Sequence, residues 1–366
     1  MTETQAWLAL NAAELPPRTA LDLLDHFGSP ATLMSASPST VAGAARLRPS
    51  DRVRIADAQQ RSWEPELAIM QKLGIRLVTI ADPEYPVNLR QIYDPPPVLF
   101  VRGAFQPRDQ RAVAIVGTRR VTPYGRLVSE TLARDLAARG LTVVSGLAVG
   151  ADVAAHRGAL TATGRTIGVL ACGLDVPYPR DTMDVREQAV LHGAVISEVP
   201  LGTPARPPRF RARNRIISGL SLGVVVTEAP ERSGALMTAN LAANQGRQVF
   251  AVPGSINSEF SRGTHDLLRD GARLVASVED ILDELQLPEV ETAPQAVPSV
   301  EEAPADEGLT GDERSILHAL SLQQRHVDDI IHSCNLPSSS ASAGLLTLEL
   351  KGLVRRLPGN MFMRVG

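Results

Sequence analysis

The chain has 366 residues, 44% of them hydrophobic, with 37 basic and 40 acidic side chains for a formal net charge of -3. That length allows two or three domains and at least one large core, and with no apolar run long enough to span a bilayer and no secretory signal in MTETQAWLAL it predicts a globular, cytoplasmic protein without membrane contact. Cys172 and Cys334 give neither a disulfide framework nor a CxxC metal site, and with Lys72 and Lys351 as the only lysines there is no GxxxxGKS/T phosphate loop.

Residues 1–65 read as helical, with Gly-Ser-Pro punctuating TALDLLDHFGSPATLMSAS, and predict a small helical domain. Residues 66–108 contain PVNLRQIYDPPPVLFVRG, too restricted for a helix, and predict an extended arm joining the core. Over 109–285 apolar runs alternate with helical patterns: VAIVG (113–117), LTVVSG (141–146), TIGVLACG (166–173), AVISEV (194–199), LGVVVTEA (222–229), QVFAVPG (248–254) and RLVAS (273–277). In between, Val128, Leu132 and Leu136 recur at helical spacing. Continuous apolar strands alternating with helices predict a doubly wound, Rossmann-like α/β core whose parallel sheet is covered on both faces.

In such a sheet the ligand edge is where strands end. There VGTRRVTPYG, SGLAVGADVAAH and VPGSINSEFSRGTHDLL each place small residues before a helix, where free N–H groups and the helix dipole favour an anion. RPPRFRARNR (206–215), which packs Arg206, Arg209, Arg211, Arg213 and Arg215 into ten positions, falls between two strands and is expected on the same edge. Arg213, Asn214 and Arg215 are expected to lead into a helix whose Ile216, Ile217 and Leu220 face the core, with the side chains ahead of it projecting outward. Arg119 and Arg120 supply a second wall, and about two of these seven arginines are expected to pair with acids such as Asp181, Asp184, Glu198 or Glu228. Guanidinium groups beside Phe210 suit a phosphodiester backbone with a base stacked on the ring. His156 reads as a structural histidine, and Glu228, Ser233 and Thr238 as pocket candidates.

Residues 286–308 combine four prolines with six acids and predict a flexible acidic linker. Residues 309–366 have three helical stretches and a hairpin, the winged-helix order. The third stretch, SSSASAGLLTLELKG, carries one acid and one lysine, which argues for protein contact rather than duplex reading, with Arg355 and Arg356 on the wing.

VGTRRVTPYG, VVSGLAVGADVAAHRGAL, RNRIISGLS, VTEAPERSGALMTANLAANQGRQVFAVPG and RGTHDLLRDGA, in this order over roughly residues 66–280, resemble the DNA-processing protein A (DprA/Smf) family of bacterial transformation. The flanks resemble that family's sterile-alpha-motif-like (SAM-like) domain in front and winged helix behind. The resemblance implies a homodimer without enzymatic turnover or cofactor that binds and protects incoming single-stranded DNA and loads RecA onto it in natural transformation. By position it makes Arg119 a pocket arginine, Ser145 and Gly146 a turn of backbone donors, and Phe210, Arg213, Asn214 and Arg215 the FxxRNR ligands. Where many relatives have a basic residue three positions before the phenylalanine this chain has Pro207, flanked by Arg206 and Arg209. The resemblance also places the dimer and recombinase surface at the end of the core, with Leu267, Leu268, Asp270 and Leu274 as candidates and Asp266 beside them.

The alternative is a Rossmann-like nucleotide-processing enzyme of the phosphoribohydrolase type, which also keeps a glycine-rich loop before a threonine. Here eight residues separate Gly254 from Gly263, and no glutamate stands soon after Thr264.

Overall fold

The computed structural model describes residues 1–44, 47–287, 309–320, 325–334, 336–357 and 359–364. The predicted linker lies outside the described residues from position 288 to 308. The chain divides into a larger unit and a smaller C-terminal one.

The larger unit opens with helices α1 (Glu3–Ala12), α2 (Pro17–Phe27), α3 (Pro30–Ser35), α4 (Pro38–Ala44), α5 (Pro49–Gln60) and α6 (Glu64–Leu73). Proline begins α2, α3 and α5, where its missing N–H has no intrahelical partner to lose. Gly28, at φ 74°, ends α2, and Ser29 caps α3 by accepting from Thr32 N. Trp7, Leu10, Leu23, Leu33 and Ile55 are buried among these helices and the core they pack on.

The segment expected to be an extended arm is extended only in part. α6 covers its start, with Glu64 and Glu66 in the first turn and Lys72 in the last, a charge order that matches the helix dipole. Then come β1 (Arg76–Thr79), the short α7 (Val87–Arg90) and β2 (Val98–Gly103), so the proline cluster at 95–97 restricts only the approach to β2.

The core continues as β3 (Ala112–Val116), α8 (Pro123–Ala138), β4 (Thr142–Ser145), α9 (Ala151–Thr161), β5 (Thr166–Val169), α10 (Met183–His192), β6 (Ala194–Ser197), α11 (Pro207–Leu220), β7 (Gly223–Val226), α12 (Gly234–Asn244), β8 (Gln248–Ala251), α13 (Arg262–Arg269), β9 (Arg273–Leu274) and α14 (Val278–Leu285). Among the described residues these strands make a nine-stranded sheet in the order β1-β2-β6-β5-β4-β3-β7-β8-β9. From β6 to β9 every pairing is parallel, while β1 with β2 and β2 with β6 are antiparallel. This is the doubly wound α/β core that the seven apolar runs predict. Alternate residues of one strand serve opposite faces: Val98 and Phe100 pack with α9, α10 and the N-terminal helices, Leu99 and Val101 with α7, α11, α12 and α13.

The smaller unit contains α15 (Gly311–Ala319), β10 (Arg325–His326), α16 (Val327–Cys334), α17 (Ser338–Leu350), β11 (Val354–Leu357) and β12 (Met361–Arg364), its strands ordered β10-β12-β11. Ile316, Ile330, Leu345, Leu348, Val354 and Phe362 form its core. α17 leaves Leu346 and Leu350 exposed. Among the described residues no helix is long and apolar enough to cross a membrane.

Candidate nucleic-acid interface

Strand order reverses at β3, since β4, β5 and β6 step to one side of it and β7, β8 and β9 to the other. Ligands of such sheets bind outside the carboxyl ends near that reversal. Here the loops after β3, β4 and β5, with the first turn of α11, enclose a cleft of about 290 Å³ whose walls include Arg119, Gly146, Cys172, Tyr178, Arg180 and Phe210. The first two loops touch: Ala151 N donates to Thr118 O at 3.2 Å. Gly150 permits this approach, because at φ 94° a Cβ there would lie 2.5 Å from that same oxygen.

α11 begins at Pro207, with Arg206 as its N-cap, and not after Arg215 as the sequence suggests. The two prolines that look like a loop occupy the first helical turn, where proline is tolerated. Burial divides this helix along its axis. Residues 207–212 are exposed or half-buried, whereas every residue from Arg213 to Leu220 is buried.

Arg213 and Arg215 are therefore interior. Nη1 of Arg213 donates to Val169 O at 2.6 Å, and Gly146 makes room for the guanidinium, which a Cβ at 146 would overlap. Burial pushes the Arg213 pKa down, partly offset by the charge of Asp152, and burial pushes the Asp152 carboxyl up against the pull of Arg213. Burial, and then the charge of Arg213, lowers His156 to about 3. Its Nδ1 lies 2.7 Å from Thr166 Oγ1, so this histidine stays neutral and structural. Arg215 pairs with Asp94 at 3.0 Å and Glu198 at 2.5 Å. Burial raises the Glu198 pKa more than Arg215 lowers it. Asn214 Nδ2 donates to Gly234 O at 3.4 Å. None of these three buried side chains projects outward.

The other arginines face water. Arg209 pairs with Glu14 at 2.8 Å and also donates to Pro204 O at 3.2 Å. Arg119, Arg120, Arg180, Arg206 and Arg211 are exposed and have no acidic partner among the described residues. Of the seven arginines in the two basic stretches, two carry acids, and Glu198 is the one acid that the sequence anticipates. The Arg119 guanidinium stands 4.7 Å from the centroid of the Phe210 ring, and the Tyr178 ring lies 6.0 Å from that ring at 58°.

Residues 76–286 match the family described as DNA recombination-mediator protein A, and residues 300–360 match the DprA winged helix domain. The chain belongs to this family. It is 43% identical over 220 residues to the DNA processing protein DprA of Bacillus subtilis, covering 60% of this chain and 74% of that one. It is 36% identical over 307 residues to the protein Smf of Escherichia coli, covering 84% and 82%. The X-ray structure of DNA processing protein A from Streptococcus pneumoniae is similar at a TM-score of 0.65 and 34% identity, over 75% of this chain and 95% of that one. A structure of the Helicobacter pylori protein, described for its single-stranded DNA binding mode, is similar at 0.51 and 32%, over 58% and 96%.

Other positions differ from expectation. Ser145 is fully buried, with Oγ donating to Ile115 O at 2.6 Å, so it ties β4 to β3 and does not line the cleft. Ser233 caps α12 and Thr238 donates to Gly234 O, both away from the cleft walls. Leu267 is packed in the core and is not a surface contact, and Leu268 packs against that core, while Asp270 and Leu274 are exposed. Tyr178 and Arg180 are site residues that sequence reasoning misses. The signal was available, because GLDVPYPRD comes after β5 as the other turns come after β3 and β4, although it has no second glycine before the helix. Among the described residues no three His, Cys, Asp or Glu side chains come together to hold a metal.

Proposed function

We propose that this recombination-mediator family member is a non-catalytic, cytoplasmic protein that binds and protects single-stranded DNA and, as a homodimer, loads RecA onto it in natural transformation. The observation that carries the DNA reading is Arg119 over Phe210 at the cleft, with Arg180 in the same wall and without an acidic partner among the described residues. A base inside a duplex is stacked on both sides and cannot reach a ring set into a cleft of about 290 Å³, whereas an unpaired base can turn in while its phosphates lie among Arg180, Arg206 and Arg211. The Helicobacter pylori relative, described for its single-stranded DNA binding mode, supports the same ligand class. Delivery to RecA and self-association rest on the likeness to the family, with Asp270 and Leu274 as the exposed candidates.

The test is fluorescence anisotropy of labelled oligo-dT and of its duplex over a salt series. With about four phosphates neutralised, log affinity for the single strand falls against log salt with a slope of about -3, at roughly 0.7 per contact. Arg119→Ala flattens that slope, and Phe210→Ala costs about 1–3 kcal/mol of stacking while leaving it unchanged. Equal or tighter duplex binding, or a single-strand affinity indifferent to both substitutions, sinks the proposal and directs the next assay to nucleoside monophosphates.

A further inference from the structure

Behind the Tyr178 wall of the cleft, on α10, lies Arg186, one of the largest fully buried side chains. Its Nη1 donates to Val176 O at 2.9 Å and its Nη2 to the Leu174 carbonyl, while Nε has no partner among the described residues. No carboxylate lies within ion-pair distance of it among the described residues, and its neighbour Glu187 pairs with Arg102 instead. Burial pushes its pKa down. An interior guanidinium without an ion-pair partner is costly, and an apolar side chain of similar volume would fill the space without that cost. What the guanidinium supplies is a pair of donors to two carbonyls of one loop.

Those carbonyls lie just ahead of Tyr178 and Arg180. The same segment is also held elsewhere: the Asp175 carboxylate accepts from Gly202 N at 2.8 Å, and Thr182 Oγ1 has Leu147 O and Pro179 O as acceptors, both at 3.2 Å. Each attachment joins this loop to a different neighbour: α10 through Arg186, the β6–α11 connection through Gly202, and the turn after β4 through Leu147.

We infer that Arg186 is a positioning residue for the cleft: its guanidinium fixes residues 174–181 so that Tyr178 faces Phe210 and Arg180 borders the bound strand. This rests on the single-strand reading of the cleft. Arg186 touches no ligand, so its loss disorders one wall without removing a phosphate contact.

The experiment uses the full chain and pairs oligo-dT anisotropy over a salt series with hydrogen exchange measured without DNA. Arg186→Met is expected to raise the Kd about tenfold, the scale of one lost buried contact, with the salt slope unchanged. Exchange should quicken over 174–181 and remain slow in the sheet strands. Arg186→Lys, which keeps one charged donor, should recover part of the affinity. Wild-type affinity in Arg186→Met would overturn the inference, and so would a slope flattened by about 0.7, which marks a direct phosphate contact. Faster exchange throughout the core would overturn it too, since that marks a role in stability alone. If Arg186→Met does not fold, Arg186→Lys, which cannot reach both carbonyls at once, is expected to give a smaller rise in Kd with quicker exchange over 174–181, and wild-type affinity and exchange there overturn the inference. If the wild type fails to bind oligo-dT, the reading of the cleft falls while exchange over 174–181 still decides the clamp.

Discussion

The two halves of α11 carry the same residue type under different physics. Arg206 and Arg211, at the end that stands proud of the sheet, are exposed and without acidic partners among the described residues. Arg213 and Arg215, in the half that runs under the core, are buried, one against the Val169 carbonyl and the other between Asp94 and Glu198. A solvated guanidinium can exchange its counterions for phosphate, but a buried one is already committed to the fold. A run of arginines is therefore not one feature: its members are sorted by depth into those left free to meet an anion and those that hold the helix presenting them.

The largest effect that tests this division is on stability. Arg215→Ala leaves the half-buried Glu198 carboxylate without its guanidinium and is expected to cost about 3 kcal/mol, the low end of the scale for breaking a buried pair. Urea unfolding measures it, and adding Glu198→Gln to the same chain should restore part of the loss by removing the orphaned charge. If Arg215→Ala unfolds like the wild type yet flattens the salt dependence of DNA binding, Arg215 belongs with the outer arginines and the division is wrong.

The reverse behaviour is expected of the outer half. Arg206→Ala with Arg211→Ala should shallow the salt slope by about 1.4 in total, at roughly 0.7 per lost contact, and leave unfolding within about 0.5 kcal/mol of the wild type. Titrating the double variant with oligo-dT at several salt concentrations checks both statements against the same protein stock. An unchanged slope would mean that the strand leaves the cleft by another route.

Why the sequence shows one half of this arrangement and hides the other is physical. The strands are legible because runs such as VAIV and GVVV are apolar on both faces, as a sheet covered by helices on both sides requires. Arg119 and Phe210 are also legible, one directly after a strand and the other in a basic run expected at the ligand edge. The fates of Arg213 and Arg215 are not, because Val169 and Asp94 reach them only through the fold, and although Glu198 is an expected acid, the fold alone decides which arginine it meets. Gly146 is deceptive for the same reason. Its lack of a side chain looks like an opening for phosphate, whereas it also clears space for a guanidinium from a helix 67 residues further along the chain. Periodicity gives no warning, since Arg211 and Arg215 share a helical face and differ only in how far along the axis they stand.

Arg209 belongs to the outer half by position but not by partner, and gives the smallest and sharpest test. It lies beside Phe210 and half-exposed, yet its charge is met by Glu14, which comes just after α1 in the N-terminal helices. If position along α11 alone decided which arginines meet DNA, Arg209 would count with Arg206 and Arg211. If the partner decides, it is withheld while Glu14 is ionised. Glu14→Gln keeps the side chain's shape and removes the competing charge, so Arg209 becomes available and the salt slope should steepen by up to about 0.7. Because this pair is solvent-exposed, its removal should leave stability almost unchanged. Arg209→Ala in the wild-type background should then alter the slope very little, but in the Glu14→Gln background it should cancel the gain. That difference between backgrounds, read by anisotropy across the salt series, distinguishes the two cases. Equal effects of Arg209→Ala in both would show that the strand already displaces Glu14, and that the helical segment in front of the core offers the arginine a contact without restraining it.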